Sequence, residues 1–253
     1  MSLVVEDTGD GFPIVLLHGL GGTSNTWQPL MTALGNMRAI RPDMPGSGRS
    51  ALGSQRLSIA VMVEAVTQWL TDRGIETFHL VGHSMGTIVC QHIAARFPDR
   101  VKGLVLYGAL TEPPQTAREG LLLRATHARK ENLAGIADQI VQNTLAPSTH
   151  RENPAAVAFV RESVLRQTGD GYAANCEALS LAEAADWRKI TASTLLVTGE
   201  SDPVAPVSMG RLLSEKISGA KLEILPGCGH WTPLEKPEQS AVLLRGFLAE
   251  HPQ

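Results

Sequence analysis

The 253-residue sequence has few cysteines, no excess of charge and no long apolar run, and each absence excludes a class of protein. Cys90, Cys176 and Cys228 are odd in number and far apart, so they indicate neither a disulfide framework nor a zinc site. A formal net charge of −3 gives no electrostatic reason to expect nucleic acid or an anionic membrane as a partner. With 43 % hydrophobic and 19 % charged residues, the composition is that of an ordinary globular protein.

The amino-terminal segment lacks the features of a secretory signal. It has neither a basic start nor a long apolar core, and the acidic residues Glu6 and Asp7 come early. No uninterrupted apolar stretch approaches the ~18 residues that a membrane-spanning helix needs. We therefore expect a cytoplasmic protein with no membrane partner, and the length is compatible with one large domain.

Apolar runs alternate with helical patterns along most of the chain. This alternation predicts an α/β fold, in which helices flank a mostly parallel central sheet. The predicted strands cover 13–17, 38–41, the run from Phe78, 101–107, 193–199 and 221–225. Between 111 and 186 only helical patterns occur, which predicts a helical cap. The core is then formed by residues 1–110 and 187–253, with no internal repeat or linker.

The most informative stretch is Gly82-His83-Ser84-Met85-Gly86, which lies where an apolar run gives way to a helical pattern. A Gly-x-Ser-x-Gly sequence in that context is typical of a nucleophile elbow. The turn must be so tight that the serine backbone is strained, and residues two before and two after the serine must lack side chains. We therefore predict that Ser84 is an exposed nucleophile.

Several features in chain order resemble the α/β-hydrolase family, and the resemblance covers nearly the whole chain. They are His18-Gly19 after an early strand, the Asp43-x-x-Gly46-x-Gly48-x-Ser50 loop, the elbow at Ser84, Asp202 after the penultimate strand, and His230 after the last strand. The order serine, aspartate, histidine is that family's order. The resemblance implies a catalytic triad of Ser84, Asp202 and His230, with an oxyanion hole formed by the backbone amides of Leu20 and Met85.

The chemistry explains why these residue types occur together. A serine hydroxyl is a poor nucleophile unless a base accepts its proton, and a free imidazole group has a pKa near the working pH, so a histidine suits that role and His230 would fill it. Asp202 would hold the other ring nitrogen and stabilise the imidazolium. Amides of Leu20 and Met85 would stabilise the tetrahedral oxyanion, and losing one such donor costs about 3 to 4 kcal/mol.

Other polar residues near these motifs leave alternatives open. Glu112 follows the strand after the nucleophile helix, which is another position for the acid in some relatives. Glu235 is expected to tether the histidine loop, and Asp43 to form a structural turn. His18 and His83 flank the site and either orient its groups or contact substrate. No His or carboxylate grouping has metal-site spacing, so we expect no metal and no cofactor.

The predicted cap is expected to supply the substrate pocket and to exclude water. The predicted substrate-binding residues, each of which could instead pack in the core, are His18, Gly19, His83, Leu122, Ile140, Trp187 and Trp231. Trp187 is favoured because it lies where the cap re-enters the core. The segment 171–179 resembles 3-oxoadipate enol-lactonases, which must hold a free carboxylate. Arg124, Arg129 or Arg161 could bind such a group.

The sequence therefore predicts a cofactor-free serine hydrolase, monomeric or homodimeric, that acts on a small carboxylic ester or lactone. A serine at the elbow, in place of aspartate, argues against haloalkane dehalogenase and epoxide hydrolase chemistry. The same triad supports C–C bond hydrolysis, thioester cleavage, acyl-homoserine lactone opening and perhydrolysis. Two other classes remain: a ligand receptor on this fold with slow or absent hydrolysis, and a degenerate structural homologue.

Overall fold

A computed structural model describes residues 2–130 and 132–251, which are built around a seven-stranded sheet. The strands are β1 (Val5–Thr8), β2 (Pro13–Leu17), β3 (Arg38–Pro42), β4 (Phe78–His83), β5 (Val101–Tyr107), β6 (Ser193–Gly199) and β7 (Lys221–Leu225). Their order in the sheet is β1-β3-β2-β4-β5-β6-β7; β1 is antiparallel to β3, and the other pairs are parallel. The predicted α/β architecture is confirmed.

Ten α-helices occur in the described residues, and five of them lie between β5 and β6. The helices are α1 (Ile59–Thr71), α2 (Met85–Arg96), α3 (Gln115–Lys130), α4 (Ala134–Thr144), α5 (Pro147–Glu152), α6 (Pro154–Leu165), α7 (Gly169–Ser180), α8 (Val207–Lys216), α9 (Thr232–Glu235) and α10 (Pro237–Glu250). Two 3₁₀ helices, Ser24–Ala33 and Trp187–Lys189, complete the set. The sheet thus receives helical cover on both faces.

The central strands are continuous apolar runs because both faces of the sheet are buried. In β2, Ile14 and Leu16 belong to the hydrophobic cluster on one face, while Val15 and Leu17 belong to the cluster on the other. Successive strand side chains point to opposite faces, so one short run contributes to both clusters. The continuous apolar run that predicted this strand therefore reflects its position at the centre of the sheet, where both faces are buried.

The elements that were not predicted from the sequence include β1 and α8. The four residues of β1 lie at the sheet edge and are half-buried or exposed, so they carry no apolar run. Helix α8 buries only Gly210 and Leu213, which leaves a sparse apolar pattern. Both elements pack at the periphery, where tertiary contacts rather than local sequence decide the structure.

The insertion between β5 and β6 is helical, as predicted. Asn153 caps α6, since its side-chain oxygen accepts a hydrogen bond from the Ala156 amide at 3.1 Å. Thr168 caps α7 in the same way by accepting from the Gly171 amide at 3.1 Å. The division of the chain into core and cap domains stays a prediction.

Parallel strands place their carboxyl ends at one edge of the sheet. The loops after β2, β4, β6 and β7 therefore converge there, and they carry all of the predicted catalytic and oxyanion residues. This edge of an open α/β sheet is where ligands generally bind. In the part of the chain that the structure describes, no helix has the length and hydropathy to cross a membrane.

Candidate active site

The elbow at Ser84 has the strained geometry that its sequence predicts. Ser84 joins β4 to α2 with φ = 53°, and it is the only non-glycine residue with a positive φ among residues 2–130 and 132–251. A Cβ added at Gly82 would lie 2.8 Å from the sulfur of Cys90, and one at Gly86 would lie 2.2 Å from the carbonyl oxygen of Leu17. The two glycines are therefore required by close packing around the turn.

Three buried side chains form one hydrogen-bonded chain at this edge. The Ser84 hydroxyl oxygen lies 2.8 Å from Nε2 of His230, and Nδ1 of His230 lies 2.8 Å from Oδ2 of Asp202. The other Asp202 oxygen, Oδ1, accepts from the amides of Val204 and Ala205, each at 2.8 Å. The structure thus brings together the three residues that the sequence predicted for the triad.

The environment of Asp202 keeps its carboxyl ionised. Burial alone would raise the pKa of Asp202, but the His230 imidazole and the amides of Ala205 and Val204 outweigh it, and the pKa lies below its usual value. An ionised carboxylate can only accept, so Nδ1 of His230 donates to it. Nε2 is then free to accept the Ser84 proton, which is the tautomer that a general base needs.

His83 helps to hold in place the loop that carries His230, called the histidine loop. Burial, and next the nearby His230, lower the pKa of His83 to about 3, so the ring is neutral. Its Nε2 lies 2.9 Å from the His230 carbonyl oxygen, to which the neutral ring donates, and its ring centroid is 5.1 Å from those of His230 and Trp231. His83 also lines the cavity in front of Ser84, and its contact with substrate stays a prediction.

The loop after β2 packs against Ser84 and is fixed by buried contacts. His18 is fully buried: its Nε2 accepts from the Met44 amide at 2.9 Å, and its Nδ1 lies 2.8 Å from the Gly19 carbonyl oxygen. A Cβ at Gly19 would lie 2.7 Å from the Ser84 Cβ. The prediction that His18 and Gly19 contact substrate is therefore corrected, because both support the loop and neither lines the cavity.

The two predicted oxyanion residues belong to different segments near the nucleophile. Leu20 follows the close contact at Gly19 and lines the cavity, while Met85 is the first residue of α2. Their use as oxyanion donors stays a prediction.

The Asp43 loop is structural, as predicted: the Asp43 carboxylate accepts from the Ser24 amide at 2.7 Å and from the backbone and side chain of Arg49.

Glu235 tethers the histidine loop, as predicted. Its buried carboxylate accepts from the amides of Gly229 at 3.1 Å and Trp231 at 2.9 Å, the residues on either side of His230. A charged acceptor that bridges two amides fixes the loop more firmly than a neutral one, since hydrogen bonds to charged groups are about twice as strong. The position of the imidazole therefore depends on a second buried carboxylate besides Asp202.

The same carboxylate also joins the histidine loop to the insertion, which the sequence did not predict. Glu235 accepts from the Ala146 amide at 2.8 Å and from the Thr149 hydroxyl at 2.7 Å, both in the α4–α5 region. The His230 amide in turn donates to the Thr144 carbonyl oxygen at 2.8 Å. Most of these contacts use backbone groups, so no side-chain pattern in the sequence could reveal them.

A cavity of about 560 Å³ opens in front of Ser84 and His230. Its walls are mainly apolar, and the insertion contributes to them through α3 and α4. Of the predicted substrate-binding residues, His83, Ile140 and Trp231 line it. The sequence also proposed Arg124 for a carboxylate, and that residue lies at the wall as well. Within the described residues, no group of three or more His, Cys, Asp or Glu side chains is arranged to hold a metal ion.

Two predicted cavity contacts and one alternative acid are corrected. Leu122 is 48 % exposed, and its neighbour Leu121 lines the cavity instead, because successive helical residues point in different directions. The Trp187 indole donates to the Gln91 side chain at 2.8 Å and packs against α2, outside the cavity. Glu112 is mostly exposed at the cavity wall, and Nδ1 of His230, which it would need, already contacts Asp202.

Comparisons with known proteins agree with this geometry. The family described as the alpha/beta hydrolase fold matches residues 13–237. A 2-hydroxymuconate semialdehyde hydrolase from Pseudomonas putida is 30 % identical, over 97 % of this chain and 90 % of that protein. Two solved structures are each 26 % identical to this chain. The malate-bound thermophilic esterase from Thermogutta terrifontis has a TM-score of 0.93, covering 99 % of this chain and 94 % of its own. The enol-lactonase from Burkholderia xenovorans has a TM-score of 0.90, covering 98 % and 96 %.

Proposed function

This chain belongs to the α/β-hydrolase family, and from that premise we propose that it is a serine hydrolase that cleaves a small carboxylic ester or lactone. The observation that carries the proposal is the hydrogen-bonded chain from Ser84 through His230 to Asp202, which ends in an apolar cavity. Each member of that chain has the hydrogen-bond partner that acyl transfer requires.

In the acylation half-reaction, the Ser84 oxygen attacks the ester carbonyl while Nε2 of His230 accepts the hydroxyl proton. Asp202 stabilises the imidazolium that forms. The carbonyl oxygen gains negative charge, which the amides of Leu20 and Met85 stabilise. When the tetrahedral intermediate collapses, the C–O bond to the leaving alcohol breaks and the alcohol takes the proton from the imidazolium. The acyl group is then bonded to the serine oxygen.

In the deacylation half-reaction, His230 accepts a proton from a water molecule that attacks the acyl carbonyl. The second tetrahedral intermediate collapses to release the acid, and the proton returns to the Ser84 oxygen. With a lactone, the leaving alcohol stays attached to the acyl chain, so the product is one hydroxy acid. The same residues therefore serve both substrate types.

The cavity favours a small substrate. A volume of about 560 Å³ lies within the range of small-molecule sites, and its walls offer apolar contacts with few polar groups. The esterase and enol-lactonase among the similar structures support an ester or lactone. The similarity to a 2-hydroxymuconate semialdehyde hydrolase favours C–C bond hydrolysis as the second candidate reaction.

The test is turnover of short-chain aryl esters by the wild type and by Ser84→Ala. We expect the substitution to lower kcat by about 10³-fold or more while the thermal unfolding midpoint is retained. Ser214→Ala is the matched control, since that hydroxyl only bonds the Arg211 carbonyl on the surface of α8. Full activity in Ser84→Ala would refute the mechanism.

A panel of substrates then separates the candidate reactions. Comparison of kcat/KM for aryl esters, γ-lactones, enol-lactones, acyl-homoserine lactones and a dienone acid ranks ester, lactone and C–C bond cleavage. Labelling of Ser84 without multiple turnovers would favour a ligand receptor on this fold. A failure of Ser84 to react at all would favour a degenerate homologue.

A further inference from the structure

One face of α3 forms a wall of the cavity. Ala117, Gly120, Leu121 and Arg124 all line it, and their spacing of three and four residues is that of one helical face. A Cβ added at Gly120 would meet no atom within 4 Å, so there is open space beside this face. A ligand in the cavity could therefore reach the side chain of Arg124, one turn further along.

Arg124 differs from the other arginines of the insertion because it has no ion-pair partner among residues 2–130 and 132–251. Arg118, Arg129 and Arg161 each contact a carboxylate, those of Glu112, Glu177 and Asp138. Arg124 is the single lysine or arginine among the residues that line the cavity. The guanidinium is half-buried beside apolar walls, where an unpaired charge is costly and a bound anion would be favourable.

A second polar group lies beside this guanidinium. The Tyr172 hydroxyl is buried and has no hydrogen-bond partner in the described part of the chain. Burial raises the pKa of Tyr172, and the nearby Arg124 acts in the opposite direction. The Tyr172 ring lies 3.3 Å from where a Cβ of Gly21 would be, next to Leu20. Arg124 and this buried hydroxyl thus lie close together, and of the two residues only Arg124 lines the cavity.

We infer that Arg124 binds a carboxylate of the substrate, so that the preferred substrate carries an anion as well as the ester or lactone that Ser84 attacks. The inference rests on the proposed function, because it assigns the specificity of the same cavity. A guanidinium presents a planar fork of donors that matches a carboxylate in two parallel hydrogen bonds. Glu112, the carboxylate at the cavity wall, is largely exposed and lies 3.8 Å from Arg118, which offsets its repulsion of an anionic substrate.

The test uses two pairs of esters that differ in one charge. The first pair is an aryl hemiglutarate, which carries a carboxylate on the acyl side, and the neutral aryl valerate. The second pair is 4-acetoxybenzoate, which carries a carboxylate on the alcohol side, and the neutral phenyl acetate. We expect the wild type to prefer the anionic member of one pair. In Arg124→Gln, kcat/KM for that anionic ester should fall by roughly 10- to 100-fold, with that for its neutral partner unchanged.

Two further variants test whether the effect is specific to the Arg124 guanidinium. Arg124→Lys should restore part of the preference, because it returns the charge without the fork. Arg129→Gln is the matched control on the same helix, since its guanidinium pairs with Glu177 outside the cavity, and it should leave both pairs unchanged. Unchanged kcat/KM on the neutral esters also shows that Arg124→Gln is folded.

The outcomes separate this inference from the proposed function. Turnover of neutral esters with no preference for an anion in either pair would overturn the Arg124 subsite and leave the hydrolase proposal intact. If no ester is turned over, calorimetry with the Ser84→Ala protein decides the subsite: tighter binding of monomethyl glutarate than of methyl valerate, lost in Arg124→Gln, supports it. Equal binding of the two compounds overturns it.

Discussion

The two sides of the cavity are built in different ways. On the sheet side, the polar groups of the triad are held in place: Asp202 contacts His230 and two amides, and Ser84 lies in a strained turn. On the side of the helical insertion, the wall is mostly apolar and its one cation, Arg124, has no carboxylate partner in the described residues. The difference suggests that the sheet edge determines the chemistry and the insertion determines which substrate receives it.

The two sides meet at Glu235. This carboxylate accepts from amides of the histidine loop and from Ala146 and Thr149 of the insertion. The α4–α5 region of the insertion and the loop that carries His230 are therefore joined through one side chain. Substitutions on the sheet side, at this junction and in the insertion should therefore have effects of different kinds and sizes.

The largest effect is expected on the sheet side, from Asp202→Asn. An amide in place of the carboxylate can bond His230 without fixing the correct tautomer or stabilising its charge, so kcat should fall by about 10⁴-fold. Steady-state kinetics with an aryl ester measures it. Asp138→Asn is the control, a carboxylate in the insertion that pairs with Arg161 on the surface, and it should change kcat little. Equal losses of kcat in the two variants would contradict the claim that the sheet side determines the chemistry.

At the junction, Glu235→Gln should weaken both sides together. The amide retains one acceptor but places an NH₂ group toward buried donors, so the free energy of unfolding should fall by about 3 kcal/mol. Urea unfolding measures the loss. Glu238→Gln, at an exposed position of the adjacent α10, is the control and should stay within about 0.5 kcal/mol of wild type. A loss confined to kcat, with stability unchanged, would show that Glu235 is not the tether described above.

An effect that is smaller per pH unit should distinguish the sheet interior from the insertion. Burial lowers the pKa of His79 in β4 to about 4, with a lesser contribution from His251. The unfolded chain therefore binds a proton at higher pH than the folded one. Between pH 6.5 and about 4, this histidine should remove about 1.4 kcal/mol of stability per pH unit as the pH falls.

His79→Leu should remove that share of the acid sensitivity, whereas His127→Leu, at an exposed site on α3, should leave the slope unchanged. The measurement is the free energy of unfolding from urea titrations at a series of pH values. His83 has a lowered pKa of about 3 and adds to the wild-type slope in both variants. An unchanged slope in His79→Leu would mean that this side chain is not buried in its neutral form.

The same contrast explains what could be predicted from the sequence. Ser84, Asp202 and His230 follow strands, and parallel strand ends converge at one edge whatever the loops do, so their meeting was predictable. The glycines of the elbow were predictable because close packing permits no other residue at those positions. The buried run from Phe78 likewise identified a central strand.

The insertion was harder to predict because its side chains are oriented by packing between helices. Whether Leu121 or Leu122 faces the cavity depends on the rotation of α3 against α7, and the two differ by one residue in sequence. Trp187 was placed near the substrate by its position in the chain, but a hydrogen bond to Gln91 directs it toward α2. The links between Glu235 and the α4–α5 region use mainly backbone groups, which leave no sequence signal.

The central claim is that Ser84 is a nucleophile activated by His230, and covalent labelling tests it most directly. Wild-type protein treated with a fluorophosphonate should gain one adduct by intact-mass spectrometry, and peptide mapping should place it on Ser84. The rate should fall by orders of magnitude in His230→Ala, in which the serine loses its base. Labelling of a different serine, or an undiminished rate in His230→Ala, would contradict the account.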